Sequence, residues 1–350
     1  MERKVAAAGT RAQLWLKALR IIPSVTKEEW GKLDFLARWL IASRAAVLVM
    51  TFVSGVLAGL FALREGVFKP GSWLLLIGGL VLAHATNNLF NDFMDFSRGV
   101  DQDNYFRTLY GPHPLAHGLL SKHQLMAYAG LTGAAAAAMG IGLIALNAWD
   151  PFIWLLLGLG AFFVLFYTWP LKYLALGELA VLVVWGPLMI AGGHYVLTNH
   201  WSWWVALASI PYALNVTTVI FGKHIDKIEV DRGKGIHTLP VLIGERPARL
   251  TIVASILLAY AIVLGLIAAR FFTPVLLLVL LAIPSLRRVF PSLLKPRPKT
   301  RPESFPEGQG GWPLYFAPLA FVNNRSFGFW FILGLIADTA LRLLLPSFWR

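Results

Sequence analysis

Long apolar runs recur along this chain at a regular length. Nine of them, at 40–63, 73–93, 124–147, 151–169, 174–197, 202–222, 249–269, 271–288 and 326–346, are each long enough to cross ~30 Å of hydrocarbon as a helix. Most are separated by short polar turns, but the intervals near 95–122 and 223–248 are long and polar. The pattern predicts an all-α fold, a polytopic membrane helical bundle of about nine transmembrane helices. Residues 1–38 mix Arg, Lys and Glu with scattered apolar positions and read as an amphipathic N-terminal segment; residues 39–350 read as the transmembrane domain. Within that domain 289–313 is rich in Pro, Lys and Arg, and reads as a flexible basic loop.

Composition agrees with the pattern. Of the 350 residues, 57% are hydrophobic and 14% charged, against about 25% charged in a soluble domain. Absence of cysteine excludes disulfides and thiolate metal sites. A formal net charge of +13 could mean nucleic-acid binding, but its distribution argues for a bilayer partner and no nucleic acid. With the N-terminus inside, segments 1–44, 94–123, 170–173, 223–249 and 287–325 face the cytoplasm and hold 26 of the 31 Lys and Arg residues. Cationic loops gather on that side, beside anionic lipid. The first apolar run starts near Ala45, too far in for a cleaved signal peptide. The expectation is a multi-pass protein of the cell inner or plasma membrane, with its N-terminus in the cytoplasm.

Three inner segments carry candidate chemistry. The first is Asn87-Asn88-Leu89-Phe90-Asn91-Asp92-Phe93-Met94-Asp95, at the inner end of the second helix. Asn88, Asn91, Asp92 and Asp95 recur at spacings of three and four, so they share one helix face. Carboxylates at membrane depth are costly and usually face a cavity and a partner. Hard oxygen ligands converging on one face suit Mg²⁺, which keeps waters and bridges to phosphates. Gly99 and Asp101 follow as part of the same candidate; a polar helix end meeting water would account for Asp101 and Asp103 but not for the stacked Asn/Asp face. The second segment is Lys223-His224-Ile225-Asp226-Lys227-Ile228-Glu229-Val230-Asp231-Arg232 with Lys234, again acids at an inner helix end with interleaved cations suited to phosphate. The third is the tight turn Tyr167-Thr168-Trp169-Pro170-Leu171-Lys172, in which Lys172 is the only cation.

Together these segments resemble the UbiA superfamily of membrane prenyltransferases, and most resemble its menaquinone-pathway branch, whose members prenylate 1,4-dihydroxy-2-naphthoate. Asn91-Asp92-x-x-Asp95-x-x-x-Gly99-x-Asp101 is similar to the first aspartate motif. Asp231-Arg232-x-x-Gly235-x-x-Thr238-Leu239 is similar to the end of the second, and Tyr167-x-x-Pro170-Leu171-Lys172 with Gly177-Glu178 to the turn between them. Gly186-Pro187-Leu188, Gly193 and Tyr195 add to the match. The chain departs from the pattern in the second motif. Asp226 and Asp231 are five apart rather than four, Lys227 stands where an Asp is usual, and His113 stands where Arg is common.

The resemblance implies an Mg²⁺-dependent transfer of a prenyl group from a polyprenyl diphosphate to an aromatic acceptor on the cytoplasmic side. It implies two ions: one at Asn88, Asn91, Asp92 and Asp95, the other at Asp226, Asp231 and Glu229. Lys172, Lys223, Arg232 and Lys234 are then candidates for the diphosphate; Asn87, Asn88 and His113 line the substrate site, and Tyr167 shields an allylic cation. Two other readings fit the acids: a cation-coupled membrane transporter, and a non-catalytic isoprenoid-binding member of the family.

Overall fold

The computed structural model of the chain describes residues 10–101, 111–302, 312 and 314–345. Every regular element among them is a helix, and one isolated bridge joins Leu174 to His237. In chain order the helices are α1 (Arg11–Arg20), α2 (Lys27–Lys32), α3 (Phe35–Ala42), α4 (Ala45–Arg64), α5 (Pro70–Ser97), α6 (Lys122–Leu146), α7 (Pro151–Phe166), α8 (Gly177–Thr198), α9 (Trp203–Asp226), α10 (Ile228–Gly233), α11 (Leu239–Ile243), α12 (Glu245–Ala268), α13 (Pro274–Leu293) and α14 (Phe316–Leu344). Eight of these, α4, α5, α6, α8, α9, α12, α13 and α14, are long and apolar enough to cross a membrane. The ninth apolar run is α7, whose 16 residues rise only about 24 Å at 1.5 Å each.

The expected bundle is therefore present, with shifted ends. Helices α5 and α9 continue past their apolar stretches to Ser97 and Asp226, so both polar motifs lie on or just beyond final helical turns. Helix α14 starts ten residues earlier than the apolar run suggests. Part of the basic Pro-rich segment is structured: 289–293 completes α13, and Arg297 donates its backbone N–H to Glu245 at 3.1 Å and stacks over Trp312. Residues 303–311 and 313 of that segment lie outside the described residues.

Between helices in lipid, close packing and polar contacts replace the hydrophobic drive. The amide of Asn323 on α14 donates to Asn215 on α9 at 2.8 Å, and the Tyr212 hydroxyl donates to the Met50 carbonyl at 3.0 Å. At the end of the bundle away from the motifs, Arg64 pairs with Asp338 at 2.6 Å. The closest approach of α9 and α14 is at Gly222, where an added Cβ would lie 2.7 Å from the Phe316 carbonyl carbon.

One turn later, Asp226 explains the early start of α14. The first N–H groups of a helix have no partner within it. Both carboxylate oxygens of Asp226 supply one, accepting from the backbone N–H groups of Tyr315, Phe316 and Ala317 at 3.0 Å each. Arg297 Nε stands 4.0 Å away. Asp226→Asn is expected to destabilise the protein by about 2 kcal/mol, through loss of charge-assisted hydrogen bonds. Gly222→Ala should destabilise it as well, by forcing two backbones apart. Thermal unfolding of the detergent-solubilised protein reads both, and unaltered midpoints would remove this clamp from the account of the fold.

Candidate active site

The first motif is built by the last turns of α5. Asn88, Asn91, Asp92 and Asp95 are all buried on one face, as their spacing requires. Asn88 donates to the Ser43 carbonyl at 2.9 Å and accepts from Arg44 at 3.2 Å. Arg44, buried where the chain breaks between α3 and α4 with φ of 57°, also reaches Asp92 at 3.4 Å. Asn91 donates to Asp95 and to Thr168. Asp95 receives Lys172 Nζ on both oxygens, at 2.7 and 2.8 Å. Asn87 points sideways, and its amide donates to the Val164 carbonyl of α7 at 2.8 Å.

Gly99 then turns the chain back. With φ at +75° it follows the C-cap Arg98; its N–H bonds the Phe96 carbonyl and the next N–H, of Val100, bonds that of Asp95. This 6→1 and 5→2 pair is the Schellman ending of a helix, and glycine adopts it without strain. The turn carries Asp101 back over α5, where ligand atoms of Asp92, Asp101 and His113 lie within 4.8 Å of one another. His113 is fully buried. Its Nδ1 accepts from the backbone N–H groups of Leu115 and Ala116, so the proton sits on Nε2 and is donated to Asp101 at 2.9 Å. His113 thus holds Asp101 from behind, as outer partners of metal ligands do.

The second motif meets the first. Lys234 Nζ donates to the carbonyls of Gly99 and Val100. Tyr173 lies between the motifs: burial raises its phenol, and the charges of Asp95 and Asp231 raise it further. Asp231 is buried beside Lys227, with 3.2 Å between Nζ and carboxylate. His224 pairs with Glu178 at 2.6 Å, both buried, which ties α9 to the start of α8. Lys223 and Tyr167 line the cavity described next.

Three expected site residues are placed elsewhere. Asp226 is turned into the α14 clamp rather than toward the first motif. Glu229 and Arg232 pair with each other at 3.5 Å on the surface, their side chains 83% and 56% exposed. The helix spacing explains this: counted from Asp231, Lys227 rather than Asp226 is one turn back, and Glu229 lies on another face.

A cavity of about 410 Å³ opens at the motifs and runs between α5, α6, α7 and α8. Its mouth is polar, with Arg44, Asn87, Asn88, Asn91, Tyr167 and Lys223. Deeper, the wall is apolar, reaching Leu76, Leu143, Ile153 and Val196 near the far ends of their helices. From Asn91 to Leu76 is about 22 Å along α5. Trp185 and Leu188 enter the wall from a π-helical stretch of α8, Val184–Ala191, a backbone form common at functional sites.

The sequence pattern of the UbiA prenyltransferase family matches residues 52–324. The chain belongs to this family. It is 28% identical over 247 residues to the 1,4-dihydroxy-2-naphthoate octaprenyltransferase of Bacillus subtilis, covering 69% of this chain and 77% of that protein. The Escherichia coli protein of the same name is 27% identical, with 60% and 70% covered. A UbiA prenyltransferase domain-containing protein 1 homolog of Drosophila melanogaster is 27% identical, with 58% and 56% covered. Among solved structures, the apo form of a UbiA homolog from Aeropyrum pernix superposes with a TM-score of 0.61 at 19% identity, covering 83% of this chain and 98% of that one. The chain is an integral membrane prenyltransferase of the UbiA family.

A divalent cation fits the first motif. Asp92 and Asp101 offer hard oxygens close together, and Mg²⁺ needs only one or two carboxylates when phosphate oxygens and waters complete its shell. In the second motif Asp231 is the one buried carboxylate not taken into the α14 clamp, and Lys227 pairs with it, so among the described residues no two carboxylates converge there as Asp92 and Asp101 do. Reading the residues alone missed Arg44 and the Lys227–Asp231 pair, and gave Asp101 no place among the metal ligands. The signal for Asp101 was Gly99, whose turn reverses the chain. If His113 holds Asp101 in place, His113→Ala should weaken Mn²⁺ binding by about 10–100-fold. Titration of the purified protein followed by electron paramagnetic resonance measures this, and an unchanged affinity would detach His113 from the metal site.

Proposed function

We propose that this enzyme takes the prenyl group of a polyprenyl diphosphate and joins it to a ring carbon of an aromatic acceptor, at the cytoplasmic face of the membrane. The observation that carries the reading is the shape of the cavity: a cationic, amide-lined mouth on a long apolar interior. That is the complement of a diphosphate head on a hydrocarbon tail. The acceptor class follows from the named relatives, two of which are dihydroxynaphthoate octaprenyltransferases. Clustering of Lys and Arg in the motif-bearing loops supports the cytoplasmic side.

In the reaction the allylic C–O bond breaks and its electron pair stays on the diphosphate. The acceptor carbon then forms the new C–C bond with a ring electron pair, and the ring loses a proton to water. Lys223 and Arg44 are the cations at the mouth suited to the diphosphate, and Lys172 is a third candidate, joined to the mouth through Asp95 and Asn91. Arg44 Nε is buried without a hydrogen-bond partner among the described residues, so it has a donor to offer. Mg²⁺ at Asp92 and Asp101, when bound, supplies Lewis-acid stabilisation of the leaving group. Tyr167 presents an aromatic wall at the mouth, and a ring face stabilises a passing cation. A water-poor cavity strengthens each of these electrostatic effects.

The test is a matrix of prenyl diphosphates of several lengths against dihydroxynaphthoate and other phenolic acceptors, with Mg²⁺, read by mass spectrometry. Prenylated dihydroxynaphthoate is the expected product. Pyrophosphate release without any prenylated aromatic would overturn the acceptor assignment. Asp92→Asn should lower kcat by roughly 10²-fold or more while the protein still inserts and stays monodisperse. Normal turnover in that variant would sink the role given to the first motif.

A further inference from the structure

The family resemblance implies two Mg²⁺ ions, and the second needs carboxylates from the second motif. Three acids are there to supply them. Asp226 is held by three backbone N–H groups at the start of α14. Glu229 is on the surface, its side chain 83% exposed. Asp231 remains, and Lys227, itself buried, lies 3.2 Å from its carboxylate. The pairing is built into the sequence, since residues four apart meet on one helix face. A divalent ion would have to come within roughly 2 Å of an Asp231 oxygen, directly against a buried ammonium of like charge.

The ammonium is also where a second cation would serve. The bridge between Leu174 and His237 sets the segment that follows Lys227 beside the turn whose Lys172 holds Asp95, so the two motifs share one end of the bundle. Lys234, seven residues beyond Lys227, fastens this segment to the Gly99 turn that carries Asp101. Lysine is a point cation able to contact phosphate.

We propose that this enzyme works with one divalent ion, held at Asp92 and Asp101, and that the Lys227 ammonium stands in the place of the second against the diphosphate. The inference rests on the reaction proposed above. As the allylic C–O bond breaks, the electron pair left on the diphosphate oxygen is stabilised by the Lys227 ammonium, and an ion at Asp92 and Asp101, when bound, would add Lewis-acid stabilisation. The allylic carbon is then taken by the acceptor, which releases a proton to water. Asp231 is a positioning residue here: it holds Lys227 and does not bind metal.

Counting Mn²⁺ on the purified full chain tests this, by electron paramagnetic resonance with Mn²⁺ alone and with inorganic pyrophosphate added. One ion per chain is expected, without the dipolar broadening of a close pair. Lys227→Asp, which replaces the ammonium with a carboxylate facing Asp231, should raise the count to two and introduce that broadening. Two ions on the unaltered protein would overturn the inference and leave the proposed reaction standing. No bound ion in either condition would overturn both. A count of one in Lys227→Asp would show that Lys227 is not what excludes the second ion. Should that variant fail to insert, Lys227→Met decides: kcat should fall at least tenfold with one ion still bound and KM little changed. Undiminished kcat there would refute the role given to the ammonium.

Discussion

A carboxylate buried at the edge of a bilayer must be given a partner, because neither lipid nor a closed protein interior solvates it. This constraint organises the motif-bearing end of the bundle. Asp92 has Arg44, Asp95 has Lys172, Asp101 has His113, Glu178 has His224 and Asp231 has Lys227. Asp226 has three backbone N–H groups, with Arg297 at 4.0 Å. Four of these six arrangements join segments far apart in the chain. The pairs therefore do for the ends of these helices what Asn215–Asn323 and Arg64–Asp338 do for the middle and the opposite end. Removing one member of such a pair strands a buried charge, which is costlier than losing the pair as a whole.

Helix α9 connects this mesh to the rest of the bundle. Within two turns it presents Gly222 to the backbone of α14, Lys223 to the cavity, His224 to Glu178 of α8, and Asp226 to the start of α14. Gly222 and Asp226, one turn apart, share the face toward α14, while Lys223 and His224 are rotated around the axis toward other partners. The segment that reads in sequence as one acidic motif thus divides between scaffold and site. The cavity depends on the same arrangement, since α8 contributes Trp185 and Leu188 to its wall only while its start is held against α9.

Much of this was legible from residue order, and the exceptions share a cause. The bundle, its all-α class and the stacked face of Asn88, Asn91, Asp92 and Asp95 follow from periodicity, which is local. The Tyr167–Lys172 turn was found because a single cation between two apolar runs stands out. Asp226 and Glu229 were read toward a metal because acids near a helix end look alike until their directions are known. The direction of Asp226 is fixed by Tyr315, Phe316 and Ala317, some ninety residues on. Arg44 looked like one more basic residue of the N-terminal segment. What makes it part of the site is the break between α3 and α4, which turns its guanidinium inward. Asp101 belonged to the first candidate but not to its ligand set, because it lies beyond the helix and only the Gly99 turn returns it to Asp92.

Carboxylates in one cluster can thus perform two tasks. Asp95 and Asp231 each hold a lysine at short range, and a lysine so held is fixed before any substrate arrives. Without such anchors a long, mobile ammonium would lose rotamer freedom on meeting a diphosphate, weakening the contact. Asp92 and Asp101 differ. They lie close to each other, beside an arginine at 3.4 Å and an imidazole that donates its proton to Asp101. Two neighbouring carboxylates repel unless a cation lies between them, so this is the place in the cluster where adding positive charge relieves the most. Preorganised ammonium groups and a close pair of acids belong to the same end of the bundle as the polar mouth of the cavity. A leaving group that gains negative charge as its bond breaks meets compensating charge there that is already in position, and little reorganisation is left to the moment of reaction.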